Sequence, residues 1–416
     1  MDDGFHRFHD DAMQHRKHIT RTAAALAAAM GIGRFVYTPI LPLMAAQAGV
    51  SPHTAATLAT ANYVGYLTGA LAGFGWPRMA HSVAACRASL VLLVASMAAM
   101  PLASTTLEWA ALRMLAGVAS AVVFVIAVNI VLDHLHGRPA HLTGWSFGGI
   151  GAGIALSAVL VLVSEQWRLA WWTSATAAAV LTALAWTMKS APATAADPTT
   201  DRERLPHRAF GLLAASYTLE GIGYIIAGTF LVAAVTQGAP RWLGGATWLA
   251  VGLATIPSAA LWAALSARWS HPGLLMMALG AQAAGIAAAG VFGGMVAAMV
   301  GAVLFGGTFI GISTLSLAAA RLLRYPRAVA LLTAGYSVGQ ILGPVAVSPL
   351  LRDGFRAALL VGALVVLLAA VAAGVMRIIG GQPYRRISQA EITNTTGEFV
   401  DECPKDRVVV VTPPHQ

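Results

Sequence analysis

The sequence predicts an all-α membrane protein of about 12 transmembrane helices, arranged as two six-helix bundles related by a parallel (6+6) repeat. Three observations carry that expectation. Of 416 residues, 57% are hydrophobic and only 10% charged, with a mean hydropathy of +0.70, whereas average globular domains carry about 25% charged residues. Apolar runs recur along the whole chain at the ~20-residue length that a helix needs to cross a ~30 Å hydrocarbon core. Two triplets, Gly31-Ile32-Gly33 and Gly221-Ile222-Gly223, stand 190 residues apart, nearly half the chain.

The predicted spans are 19–46, 52–74, 82–101, 106–133, 141–164, 167–188, 208–237, 241–267, 273–293, 295–322, 328–351 and 354–378. Their length and unbroken apolarity point to helices, because barrel strands would be ~10 residues long with alternating polarity. Residues 1–18 read as a cytoplasmic extension, since they mix Asp2, Asp3, Asp10 and Asp11 with Arg7, Arg16 and Lys17, unlike the basic start of a secretory signal. Residues 19–189 form the first bundle, 190–207 a linker rich in Pro, Ala, Thr and charge, 208–378 the second bundle, and 379–416 a cytoplasmic tail.

Register supports the duplication. Arg78 and His81 match Arg268 and His271 at an offset of 190, and Ser146, Gly148, Ile150, Ala155 and Ser157 match Ser337, Gly339, Ile341, Ala346 and Ser348 at 191. An even number of spans per half keeps both halves in the same orientation, hence a parallel repeat.

With the N-terminus cytoplasmic, Lys and Arg outside the spans divide 20 to four in favour of the cytoplasmic side, with Arg34 and Arg113 left inside spans. That asymmetry sets orientation and explains the net charge of +9 without nucleic acid. Cys86 and Cys403 then face a reducing compartment, and no disulfide framework or metal-ligand spacing is present. His6, His9, His15 and His18, and the crowd of His134, His136 and His141, lack supporting ligands. No cofactor or metal is expected. Trp167, Trp171 and Trp172 read as an interfacial aromatic belt.

Four stretches carry a family resemblance: GIGRFVYTPILPLM (31–44), ANYVGYLTGAL (61–71), SYTLEGIGYIIAGTF (216–230) and YSVGQILGP (336–344). From about residue 20 to 380 the chain resembles the Major Facilitator Superfamily, in its YbfB/YjiJ-type branch of bacterial membrane transporters. The superfamily's Arg-x-x-x-Gly pattern of span 4 is present as Arg113 and Gly117. The loop after span 2 departs from the family, since GFGWPR (73–78) lacks the acidic residue of the usual cytoplasmic latch, and the Gly-Pro of span 5 is missing although Gly343-Pro344 occurs in span 11. The resemblance implies a multi-pass protein of the bacterial inner membrane with both termini cytoplasmic, taken here as a monomer.

Ionisable groups deep in a span are costly and read as functional. Glu220, about ten residues into span 7, is the candidate proton-coupling group; Ser216, Tyr217, Gly223 and Tyr224 share its helical face, which is expected to line a cavity. The alternative is a structural acid bonded to a neighbouring helix. Arg34 sits about 20 Å up its helix from Arg21 at 1.5 Å per residue, with Tyr37 and Thr38 on its face and Pro39 and Pro42 expected to kink the helix above. It can hold a carboxylate or phosphate bidentately, pair with Glu220, or bond backbone carbonyls at the kink. Arg113 is expected as a secondary substrate contact, with snorkelling as the alternative. Asn62 and Tyr66, and Tyr336 and Gln340, are i, i+4 pairs that either line the cavity or glue helices together. Gln282 stands isolated and reads as glue. The glycine run of span 5 is a packing feature, since no strand precedes it to make a phosphate loop.

The expected function is secondary active transport of a small solute by alternating access, proton-coupled, with a small organic anion as substrate. The alternatives are proton-driven efflux of a neutral or cationic solute such as a sugar or drug, or a non-transporting membrane sensor. No nucleophile–base constellation lies inside the spans, so an enzyme is not expected. Besides its substrate, the partners are protons and the lipid bilayer. Reporter fusions after Lys189 and at the C-terminus should both read as cytoplasmic, and one at Gln237 as external; reversal of any of the three would overturn this topology.

Overall fold

A computed structural model describes residues 17–134, 140–189, 207–237, 239–292, 294–323, 325 and 328–379. Twelve long helices occur among them: α1 (Lys17–Ala48), α2 (Pro52–Gly75), α3 (Val83–Ala99), α4 (Thr106–His134), α5 (Ala140–Leu162), α6 (Trp167–Ala185), α7 (His207–Thr236), α8 (Arg241–Ser266), α9 (His271–Val291), α10 (Gly294–Leu322), α11 (Ala328–Val347) and α12 (Phe355–Ile379). Each agrees with its expected span to about one turn. Nine are long and apolar enough to cross a membrane. Of the other three, α3 is only 17 residues long, and α2 and α6 carry polar and tryptophan residues that lower their hydropathy. The expected linker, apart from His207, and the tail beyond Ile379 lie outside the described residues, as does Cys403.

Helix ends follow local chemistry. Gly49, at φ 67°, closes α1 in the left-handed conformation that glycine adopts without a Cβ penalty. Ser51 caps α2 by accepting from Thr54 N at 3.1 Å, with Pro52 in the first turn. Glu108 folds back to accept from Ser104 N (2.8 Å) and Thr105 N (3.0 Å), satisfying donors before α4 that have no carbonyl to bond. Span 11 leaves α geometry early: α11 ends at Val347, and a 3-10 segment, Ser348–Asp353, carries the chain to α12.

The helices pack in the same pattern in each half. In the first, α1 touches α4, α5 and α6, α2 touches α4, and α3 touches α4 and α6. In the second, α7 touches α10, α11 and α12, α8 touches α10, and α9 touches α10 and α12. Side chains repeat too. Gln47, at the end of α1, accepts from Trp167 N at 3.0 Å, and Gln237, 190 residues later, accepts from Phe355 N at 3.1 Å. One glutamine per half thereby serves the unpaired N-terminus of its last helix. Thr38 donates to the carbonyl of Gly228, its counterpart at offset 190, so the axis relating the halves passes between them.

Between the halves, α5 runs antiparallel to α8 and α2 packs on α11. Glycines make the α5–α8 approach possible. A Cβ on Gly148 would lie 2.7 Å from Ile256 O, one on Gly151 2.5 Å from Ile256 N, and one on Gly252 2.3 Å from Ala155 N. The opposite face of α5, Gly149 and Gly153, meets the backbone of α1 as closely. Without a hydrophobic driving force between helices in lipid, such small-residue contact supplies the packing.

Trp167 and Trp171 do not form an interfacial belt. Trp171 is fully buried and Trp167 packs edge-on to Trp109 with centroids 5.9 Å apart, while Trp172 is exposed. The 3.6-residue period turns neighbouring tryptophans to different faces of α6. Replacing Gly252 with Leu should force α5 from α8 and destabilise the protein by about 1–3 kcal/mol or more. Gly211→Ala, at an open helical position, should be neutral or gain up to ~1 kcal/mol. Unfolding in detergent compares the two.

Candidate functional site

Pro39 shapes the centre of the molecule. It has no N–H, and its ring would collide with the carbonyl of Phe35, four residues back. Thr38 N bonds Phe35 O instead, at 3.1 Å. Upstream, Ala27–Arg34 is wound as a π-helix before a turn at Phe35–Val36 and a return to α geometry at Tyr37. The break therefore lies between Arg34 and Pro39, just above Arg34 as expected, with the π-helical winding extending below it. Short π segments inside α-helices are frequent at functional sites.

Arg113 satisfies the carbonyls this distortion releases. Its Nη1 donates to Gly33 O at 3.0 Å and its Nη2 to Arg34 O at 2.9 Å. Asn62 Nδ2 in turn donates to Arg113 O at 2.9 Å. The Tyr37 ring lies 5.3 Å from the Arg113 guanidinium, and its hydroxyl donates to Ala55 O at 3.1 Å. The backbone-bonded role weighed for Arg34 thus falls to Arg113. With Asn62 and Tyr37 it forms a frame around the backbone of Gly33 and Arg34.

Arg34, so held, is 3% exposed and points across to the second half. Its Nη2 donates to Gln340 Oε1 of α11, and Gln340 Nε2 donates to the Tyr224 hydroxyl at 3.2 Å. Its guanidinium carbon lies 3.9 Å from the Tyr66 ring centre and 5.3 Å from that of Tyr63, within cation–π range. The expected pairing with Glu220 is not made in this conformation. Tyr63, which the sequence reading passed over, also bonds Thr229 of α7 at 2.9 Å; its place three residues before Tyr66 is the signal that could have found it.

Nearly parallel rings continue the site into the second half. Tyr217 stacks on Tyr336 at 4.3 Å, Tyr336 lies 5.4 Å from Tyr224, and Tyr224 lies 5.8 Å from Phe309 of α10. Glu220 lies beside this stack with no exposed surface. Gln282 of α9 and Tyr336 of α11 face its carboxylate, yet neither carboxylate oxygen nor either polar atom of the Gln282 amide closes a hydrogen bond. Gln282 is therefore no isolated glue residue. The face shared with Glu220 divides: Tyr217 and Tyr224 enter the ring stack, whereas Ser216 donates to Ala369 O of α12 at 2.8 Å and Gly223 packs on Gly362.

The arrangement brings Arg34, Tyr66, Tyr224, Tyr336 and Gln340 into one buried cluster spanning both halves, with Tyr217 and Glu220 at its side. It can hold a planar anionic group against a guanidinium and rings, and can take up a proton nearby. Arg113→Gln should leave at least one released carbonyl without a donor, at about 1 kcal/mol each. The expected result is a lower unfolding midpoint in detergent than wild type, partly restored in Arg113→Lys.

The family model described as "Uncharacterised MFS-type transporter YbfB" matches residues 26–374. No curated protein matches the chain. Among solved structures, the nucleoside transporter NupG is similar in fold, with a TM-score of 0.63 at 12% identity over 86% of this chain and 99% of that one. The extent of the family match, together with a helical bundle of this shape, makes the chain a member of the YbfB-type family of Major Facilitator Superfamily transporters.

Proposed function

We propose that the protein is a proton-coupled secondary transporter that moves a small organic anion by alternating access between its two halves, in the inner membrane with both termini cytoplasmic. One observation carries the reading: a guanidinium buried between the halves, whose hydrogen-bonding partner is the neutral amide of Gln340 rather than a carboxylate. A buried cation without an anion is strongly unfavourable, and an anionic solute supplies the missing charge. Arg34 is the primary contact, and Gln340, Tyr66, Tyr224 and Tyr336 complete the seat. Arg113, Asn62 and Tyr37 hold Arg34 in place without touching substrate. Glu220 is the coupling group, loading and releasing a proton as opening of either side wets its surroundings, and Gln282 faces its carboxylate as an amide partner.

The experiment is uptake into proteoliposomes from a panel of carboxylates, sugars and amines, with and without an imposed pH gradient. Arg34→Lys keeps the charge but loses the planar fork, so KM for an anion should rise about tenfold or more, and Arg34→Ala should abolish uptake. Glu220→Gln preserves shape while removing the titratable proton. It should end accumulation driven by the gradient and keep exchange between equal pools. Accumulation by Glu220→Gln in response to the gradient would make Glu220 structural, and unaltered anion uptake by Arg34→Ala would remove Arg34 from the site.

A further inference from the structure

We propose that a cavity on the outside of the second half seats the phosphate of an anionic phospholipid. It measures about 380 Å³ and lies between the turn joining α8 to α9 and the last turn of α12, well away from the ring stack. Two guanidinium groups line it, Arg268 from the turn and Arg377 from α12, and no acidic side chain does. Neither guanidinium makes a hydrogen bond or ion pair with another described residue. Two like charges sharing one cavity repel, and an anion between them turns repulsion into attraction. A phosphate does so with oxygens that a guanidinium grips bidentately.

The floor of the cavity is open to such a group. Gly273 lies in the first turn of α9, where backbone N–H groups lack carbonyl partners, and the Ser270 side chain does not cap them. A Cβ on Gly273 would come within 3.1 Å of Ser270 Oγ and 3.9 Å of the Arg377 guanidinium, so glycine leaves that space free. One turn further along α9, the lining becomes apolar with Met276 and Met277.

That gradient from arginine to methionine favours a lipid over a free phosphate. Trp269 and Met277 are exposed on the outer surface, and Ile378, beside Arg377, is 82% exposed. α9 and α12 pack on their own half and make no extensive contact with the first, so this surface belongs to the periphery that faces lipid in a membrane transporter. Basic pockets between helices at the cytoplasmic level are a recognised form of anionic headgroup site. Arginines that merely snorkel to bulk headgroups would need no cavity and no glycine.

The test is lipid retention by the purified full chain, read by native mass spectrometry after exchange between phosphatidylglycerol and phosphatidylcholine nanodiscs. Wild type should retain phosphatidylglycerol in preference to phosphatidylcholine. Arg268→Gln with Arg377→Gln should reduce that retention at least about tenfold. Gly273→Leu, which fills the cavity without changing charge, should reduce it as well. A control pair, Arg78→Gln with Arg208→Gln, removes equal charge from exposed positions on the same side, and circular dichroism checks that every variant folds. Equal loss in the control pair would overturn the site in favour of general surface charge. A second arm titrates inorganic phosphate into lipid-free protein in detergent. Phosphate binding that depends on Arg268 and Arg377, without preference between the two lipids, would reject the lipid and leave a free-phosphate site. None of these outcomes depends on transport, so the proposed substrate and coupling group stand or fall separately.

Discussion

Two hydrogen bonds from Arg113 to the carbonyls of Gly33 and Arg34 are the interaction on which the centre of this molecule rests. In hydrocarbon a bare carbonyl has no water to turn to, and irregular backbone survives only where protein groups satisfy it. Pro39 makes α1 irregular, and the turn at Phe35–Val36, where Thr38 N bonds Phe35 O, releases carbonyls. A single planar side chain from α4 answers both. Because Arg113 fixes the backbone of Arg34, the Arg34 side chain reaches across the interface to Gln340 rather than folding onto its own helix. Everything central in the second half, from Gln340 to the stack of Tyr224, Tyr336 and Tyr217, is placed relative to that guanidinium.

The two halves are held together by contacts of different character. Arg34–Gln340, Thr38–Gly228 and Tyr63–Thr229 are directional hydrogen bonds that tie α1 and α2 to α7 and α11. The α5–α8 contact is backbone against backbone through Gly148, Gly151 and Gly252. Hydrogen bonds weaken steeply with misalignment, whereas small-residue surfaces touch through dispersion spread over many atoms. The interface thus has discrete bonds along one seam and a smooth small-residue surface along the other. Glu220 and Gln282 lie within the second half rather than on the seam, and α7 carries both Glu220 and the groups that meet the first half, Gly228 and Thr229.

The two terminal glutamines illustrate how duplication is expressed in three dimensions. Gln47 and Gln237 perform one task, accepting from the first amide of the last helix in their half, although Trp167 and Phe355 differ. The central positions diverged instead. Gly31-Ile32-Gly33 is followed by Arg34, and Gly221-Ile222-Gly223 by Tyr224. The first glycine of each triplet still packs on the fifth helix of its half, against Gly153 and Tyr336 respectively. The backbone frame repeats, while the side chains at the same station became a cation in one half and a ring in the other.

By itself, the sequence determined the class of fold, the positions of the helices to about a turn, the repeat offset, and the rarity of charge that singles out Arg34, Arg113 and Glu220. These are consequences of one-dimensional physics: hydrocarbon thickness sets run length, and the cost of burying charge makes each exception conspicuous. The tertiary structure alone decided which exceptions meet. Arg34 and Gln340 are 306 residues apart, and no local period relates them. The bonds to backbone carbonyls that the sequence reading weighed for Arg34 are made by Arg113, because partnership depends on which helix faces which carbonyl. Gln282 looked isolated because its neighbour is a carboxylate on another helix, and Tyr63 looked ordinary because only the fold brings α2 beside α7. The two buried tryptophans of α6 escaped because composition reports that a residue suits an interface, and only packing against α1, α3 and α4 reports that it does not lie in one.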